Sequence, residues 1–291
     1  MTVHASLEDP RPLERPGASD GVTVAFGDPA ANVFGVARVG TSLPEGGGDP
    51  VTSALGLLYA DGDLVAVRTG GVQTAIVEPL RAWRVTFEDE DDGDLGFELE
   101  LRAASAPAEL GPDHRAAVLG GMTGYEQLVH VEGVARAGRG ERRLRCLGQR
   151  GHSWGSPDWG RLSLARTLGV WFDDGLGVTM TAVRPAHAEH HGDEALACSL
   201  LVPAEEDGAL AAPVMVADPR LSTTYDGEGR QIAAGLELYV HEDDGAPHRA
   251  AGEVLCGTTL DLGALRLDSA FLQWRMEGRT GIGRYDVLRR A

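Results

Sequence analysis

The chain has 291 residues, enough for one large domain or two of ordinary size. With 26 Lys and Arg against 44 Asp and Glu its formal charge is −18, which repels phosphate backbones and anionic lipid surfaces and argues against a nucleic-acid partner. Hydrophobic residues make up 43% of the chain, enough for a packed core, yet no run approaches the roughly 20 apolar residues of a membrane span.

Nothing at the N-terminus has the apolar run of a signal peptide. Cys146, Cys198 and Cys256 match no metal-knuckle spacing and read as small buried hydrophobes in a reducing compartment, so the expected location is the cytoplasm. The 40 glycines and 15 prolines are dispersed without a period, as many turns between short strands require.

Residues 1–20 are polar and carry Pro10, Pro12 and Pro16, which predicts an irregular arm. Strand signals follow. Val22, Val24 and Phe26 alternate, and Leu95, Phe97, Leu99 and Leu101 alternate with Gly96, Glu98, Glu100 and Arg102. Leu236, Leu238 and Val240 repeat the pattern, as do Leu260, Leu262, Leu265 and Leu267. Asp61-Gly62 and Asp174-Gly175 are hairpin signals, and the acidic run Glu88 to Asp94 predicts a solvated hairpin tip. Helical periodicity is poor; short helices are expected only over Asp113–Leu119 and Ala204–Leu210. The fold class is all-β and antiparallel, a sandwich or barrel with one wet face. A weak echo between Leu57–Gly62 and Val170–Gly175 suggests two comparable halves.

Three polar groupings are candidates for chemistry. Tyr125, Glu126, Gln127 and His130 sit on a predicted strand, with Tyr125 and Gln127 on one face and Glu126 and His130 on the other. One face points into a barrel, where a Tyr or Glu holds a ligand's polar group; equally, Glu126 and His130 form an exposed strand face. The second grouping is Gly148 to Gly160, with His152, Trp154, Asp158 and Trp159, which reads as a tight glycine-rich corner. There His152 and Asp158 are candidate acid and base, or else the whole stretch is a structural lock. The third, His187, His190, His191, Asp193 and Glu194, has metal-like composition but no zinc spacing, so a solvated loop and no bound metal are expected. Nucleotide fingerprints are missing from the sequence.

Gly148-Gln149-Arg150-Gly151-His152-Ser153-Trp154-Gly155-Ser156-Pro157-Asp158-Trp159, the upstream Gly124-Tyr125-Glu126-Gln127 and the C-terminal Trp274 to Tyr285 together resemble the AttH-like and carotenoid-hydratase-like (hydroxyneurosporene synthase-like) proteins. The resemblance implies two consecutive lipocalin-like barrels packed together. The first would span 21–163 and end in the His-Ser-Trp-Gly motif; the second would span 164–291. It also implies a pocket for a hydrophobic small molecule of isoprenoid or polyketide kind. Cofactor-free hydration, isomerisation or cyclisation is the expected chemistry, with His152 and Asp158 as acid or base. Trp154, Trp159, Tyr125, Glu126 and Gln127 would line the site. A ligand carrier of the same fold is the alternative, and a structural or regulatory protein a third. Relatives commonly have Asp where Gly151 stands and Arg where Pro157 stands, so an acid mechanism does not transfer intact.

Overall fold

In the computed structural model, which describes residues 5–89, 94–137, 140–205, 208–241, 243 and 245–291, the alternating segments become strands of two antiparallel sheets. Strands take up 64% of the chain and helices 4%, so the all-β expectation holds.

The first sheet is built from β1 (Ser19–Asp28), β2 (Val33–Ser42), β3 (Val51–Ala60), β4 (Asp63–Arg68), β5 (Val72–Glu78), β6 (Ala82–Glu88), β7 (Leu95–Ala103), β8 (Ala108–Leu110), β9 (Met122–Ala137) and β10 (Glu141–Gly155). Its strand order is β4-β3-β2-β1-β10-β9-β7-β6-β5, with β8 added beside β9. β7 shows why the pattern works. Phe97, Leu99 and Leu101 are buried while Glu98, Glu100 and Arg102 are exposed, so one face of the sheet closes over a core. Phe97 lies 5.1 Å from Phe26 and 5.3 Å from Phe87, ring centre to ring centre. Gly56 makes room for this cluster, since a Cβ there would run into the Phe87 ring.

The second sheet contains β11 (Leu162–Phe172), β12 (Gly177–Pro185), β13 (Ala195–Leu201), β14 (Val214–Met215), β15 (Asp218–Tyr225), β16 (Gln231–Tyr239), β17 (His248–Asp261), β18 (Leu265–Met276) and β19 (Arg279–Arg290). Its order, β14-β13-β12-β11-β19-β18-β17-β16-β15, repeats that of the first. Leu168, Val170, Phe172, Leu236, Leu238, Leu272, Trp274 and Tyr285 fill its core. The compact units are residues 1–109, 122–157 and 204–212 in one case, and 110–121, 158–203 and 213–291 in the other.

Both Asp-Gly pairs form hairpins. Asp61 and Gly62 join β3 to β4 with φ of 56° and 89°, a two-residue turn whose twist suits the strands. Asp174-Gly175 joins β11 to β12. The echo between them, however, pairs the wrong hairpins: by strand order β11 and β12 correspond to β1 and β2. Helix α1 (Arg115–Gly120) lies where one was expected, with His114 accepting from the Ala116 amide and Gly121 closing it at φ 65°. The described part of Ala204–Leu210 is not helical. The Ala204 amide donates to the Ala104 carbonyl, and Gly208 at φ 82° turns the chain. Residues 90–93 of the acidic run lie outside the described residues. Asp89 is buried and accepts from Arg68 at 2.8 Å, so that end of the run is not solvated. Among the described residues, no helix is long and apolar enough to cross a membrane.

Candidate functional site

Gly148 to Gly155, expected to be a corner, is the second half of β10. The glycines bring neighbouring strands close instead of bending the chain. A Cβ on Gly148 would press on the Ala25 carbonyl, and one on Gly151 would collide with the Glu126 carboxylate. The strand ends at Gly155, and the turn follows from Asp158 to Arg161.

β10 runs between β1 and β9, and three alternate rungs carry the polar groups of the first unit. They are Asp20–Trp154–Thr123, Val22–His152–Tyr125 and Val24–Arg150–Gln127. A cavity of about 260 Å³ lies against them, walled by Val22, Val24, Ile76, Trp83 and Val85 and by Glu8, Asp20, Arg150 and His152. A larger, about 410 Å³, depression beside Pro79, Arg81 and Pro107 has Arg81 as its one titratable side chain, so the titratable groups cluster on the smaller cavity.

The segment before β1 completes the cavity. A 3₁₀ turn, Ala5–Glu8, delivers the Glu8 carboxylate into the barrel. Oε1 accepts from the Leu80 amide at 3.1 Å and the Trp83 indole N–H at 2.8 Å, and Oε2 accepts from Arg150 Nη2 at 2.6 Å. The Glu8 and Arg150 side chains are each 3% exposed. Arg150 lies 4.6 Å above the Trp83 ring and donates through Nη1 to the Tyr125 hydroxyl. Burial raises the Tyr125 phenol well above its ordinary range, against the pull of Arg150 and with Glu8 adding to the rise. Tyr125 therefore keeps its proton at neutral pH.

His152 is buried and engaged at both ring nitrogens. Nδ1 is 2.8 Å from the Leu7 carbonyl and Nε2 is 2.6 Å from Asp20 Oδ1. Each ring nitrogen is thus aimed at an oxygen within hydrogen-bond distance, a backbone carbonyl on one side and a carboxylate on the other. Asp20 Oδ2 accepts from the Arg11 amide at 3.1 Å, and the Arg11 guanidinium covers the Trp154 ring at 4.3 Å. Trp154 is half-buried, its ring 5.0 Å from that of His152.

Of the residues singled out in the sequence, His152, Trp154 and Tyr125 come together here. Gln127 is buried beside them and braces backbone: its amide donates to the Leu80 and Ser105 carbonyls at 3.1 and 2.7 Å. Glu126 lies on the opposite face of β9, accepting from Gln149 at 2.8 Å. It takes the space that a side chain at position 151 would need. Asp158 is not brought to His152. It is exposed and accepts from the Gly160 amide within its own turn at 2.9 Å; Trp159, half-buried, is in the same turn. Sequence reasoning missed Glu8, Asp20 and Trp83 altogether. His187 and His190 are exposed, and Asp193 accepts from the Glu189 and His190 amides. Glu194 instead pairs with buried Arg166 in the second unit, where Arg166 also meets Thr223 and Tyr285.

Solved structures share this fold. An AttH-like protein from Nitrosomonas europaea matches with a TM-score of 0.66 at 12% identity, over 94% of this chain and 92% of that one. CghA in complex with Sch210972 matches at 0.63 and 10% identity, over 95% and 89%. Kievitone hydratase from Nectria haematococca matches at 0.59 and 10% identity, over 99% and 93%. No curated protein matches the sequence. The architecture is thus that of the AttH-like double lipocalins, and by sequence the chain belongs to the family described as a domain of unknown function, DUF7064, whose model matches residues 7–291.

Proposed function

We propose that the protein binds an apolar small molecule in the cavity of its first unit and adds or moves a proton there without a cofactor, as a hydratase, isomerase or cyclase. The observation that carries this reading is the His152–Asp20 pair, Nε2 and Oδ1 2.6 Å apart on the wall of a cavity whose apolar lining includes Val22, Val24, Ile76, Trp83 and Val85. The pair protonates an alkene or carbonyl carbon framework. In a hydration, water then supplies its oxygen to the cation and returns one proton to the pair. The indole of Trp83, which lines the cavity, steadies the positive charge in between. Two structural neighbours lend support by name, one a hydratase and one holding a small molecule. The formal charge of −18 supports a small-molecule ligand over nucleic acid, and three cysteines outside any disulfide support a cytoplasmic location.

The test starts with native mass spectrometry of protein from its source, to identify the ligand that travels with it. That compound is then incubated with enzyme in ¹⁸O- or deuterium-labelled water. Wild type is expected to introduce label, and His152→Ala and Asp20→Asn to lose turnover while still binding. Full turnover by both variants would sink the assignment. A carrier role is the second reading, favoured by the way both His152 nitrogens are already occupied, one by the Leu7 carbonyl of the N-terminal segment and one by Asp20 of β1. Binding without product in wild type would select it.

A further inference from the structure

The Glu8 carboxylate sits in a nest of donors: the Arg150 guanidinium, the Trp83 indole N–H and the Leu80 amide, with the Tyr125 hydroxyl alongside. All are fixed on the barrel, whereas Glu8 arrives on a segment held otherwise by a few contacts, among them Leu7 to His152 and Arg11 to Asp20 and Trp154. Among residues 5–18 only Glu8 and Ala18 are buried. A segment that buries so little apolar surface is held by its polar contacts, of which the buried ion pair is the strongest. That pair decides what can replace it. Arg150 is 3% exposed and cannot be left in the barrel without a counterion. A neutral ligand that pushed Glu8 aside would strand the guanidinium; an anionic ligand would restore every one of its bonds. Beside the nest, the Gln127 Oε1 atom is buried with no hydrogen-bond partner among the described residues, a further polar position within the same rung as Arg150.

We infer that the Arg150–Trp83–Leu80 nest is a carboxylate subsite, that Glu8 is its internal occupant, and that the ligand is an apolar molecule ending in a carboxylate or an equally acidic group, which binds by exchanging with Glu8. The inference rests on the reading of the first-unit cavity as the ligand site and narrows its ligand class. Displacement of Glu8 carries the Leu7 carbonyl away from His152 Nδ1 as well, so the same exchange frees the proton donor when an acidic ligand is in place.

Calorimetric titration of the full chain with decanoate and with decanol, equal in length and different in charge, tests this. Wild type should prefer decanoate. Glu8→Gln should bind decanoate about tenfold more tightly and decanol no better. Glu8→Gln/Arg150→Gln, lacking both charges, should lose the preference. Equal gains for both probes in Glu8→Gln would make the segment a steric gate only and overturn the inference, as would no gain at all. Binding of decanol without preference for decanoate overturns the subsite and leaves the cavity reading intact. Binding of neither probe by any variant removes both. Should Glu8→Gln fail to fold, hydrogen exchange on wild type decides: decanoate, and not decanol, must speed exchange of residues 5–18.

Discussion

Gly151 is where this chain departs most informatively from the proteins it resembles. The resemblance leads one to expect a carboxylate at this position; here the Glu126 carboxylate, reaching across from β9, takes the space a side chain would need and accepts from Gln149 at 2.8 Å. A Cβ at 151 would meet the far end of the Glu126 side chain, which can swing away at the cost of its hydrogen bond from Gln149. Gly151→Ala should therefore lose about 1 kcal/mol of stability and nothing in a Glu126→Ala background. Gly56 has the same clash with a different neighbour, the Phe87 ring at the centre of the first core. That ring has nowhere to go. Gly56→Ala should cost about 2–3 kcal/mol, and trimming Phe87 opens a cavity instead of repairing it. Urea denaturation of the four variants separates the two cases; equal losses at 151 and 56 would refute the packing account.

At the scale of elements, whatever depended on neighbours in sequence was legible. Alternation located β7 and β16, Asp61-Gly62 marked its hairpin, and the capped stretch near His114 became α1. The tryptophan motif misled because glycine has two uses. Read locally, Gly148, Gly151 and Gly155 bend a chain; in the sheet, Gly148 and Gly151 admit a neighbouring carbonyl and a neighbouring side chain, and no one-dimensional pattern distinguishes these uses. The site was half legible for a related reason. His152 and Tyr125 stand on adjacent strands, whereas Glu8 lies 142 residues from Arg150 and Asp20 lies 132 from His152. An acidic residue in a proline-rich arm carries no periodic signal. Asp158 was the nearer carboxylate in sequence and is the farther in role: its carboxylate caps the turn that follows β10. Asp158→Asn should cost no more than about 1 kcal/mol and leave turnover and ligand affinity unchanged, against the loss expected for Asp20→Asn. A turnover defect in Asp158→Asn with unaltered stability would return that residue to the chemistry.

For the whole molecule, the buried titratable groups make high pH the vulnerable side. In the second unit Tyr285 is buried beside Arg166 and Thr223. Burial, only partly opposed by the Arg166 charge, lifts its phenol from 10.0 to about 12. Burial likewise lifts the Cys256 thiol from 9.0 to about 12. Both groups are neutral when protonated and hold the proton more tightly folded than unfolded. Below pH about 9 neither state has lost its proton and the stability is intact. Above it the unfolded chain ionises first, so the unfolded state binds fewer protons and stability falls with rising pH until the folded groups titrate near 12. Through this linkage each group withdraws about 2–4 kcal/mol across that range, comparable with a good part of the total stability of a typical domain. The acidic surface adds to the effect, since a chain of net charge −18 gains further negative charge as these groups ionise. Denaturation midpoints should thus be level from pH about 7 to 9 and decline steeply between about 9 and 12. Cys256→Ala should make the decline shallower without moving its onset, because the Cys146 and Cys198 thiols, also raised from 9.0 by burial, still ionise first in the unfolded chain. Tyr285→Phe should lower stability at pH about 7, through lost bonds to Arg166 and Thr223, yet flatten the slope above about 10. A midpoint that stays level to pH about 11 in wild type would show that these groups are not protected in the folded state.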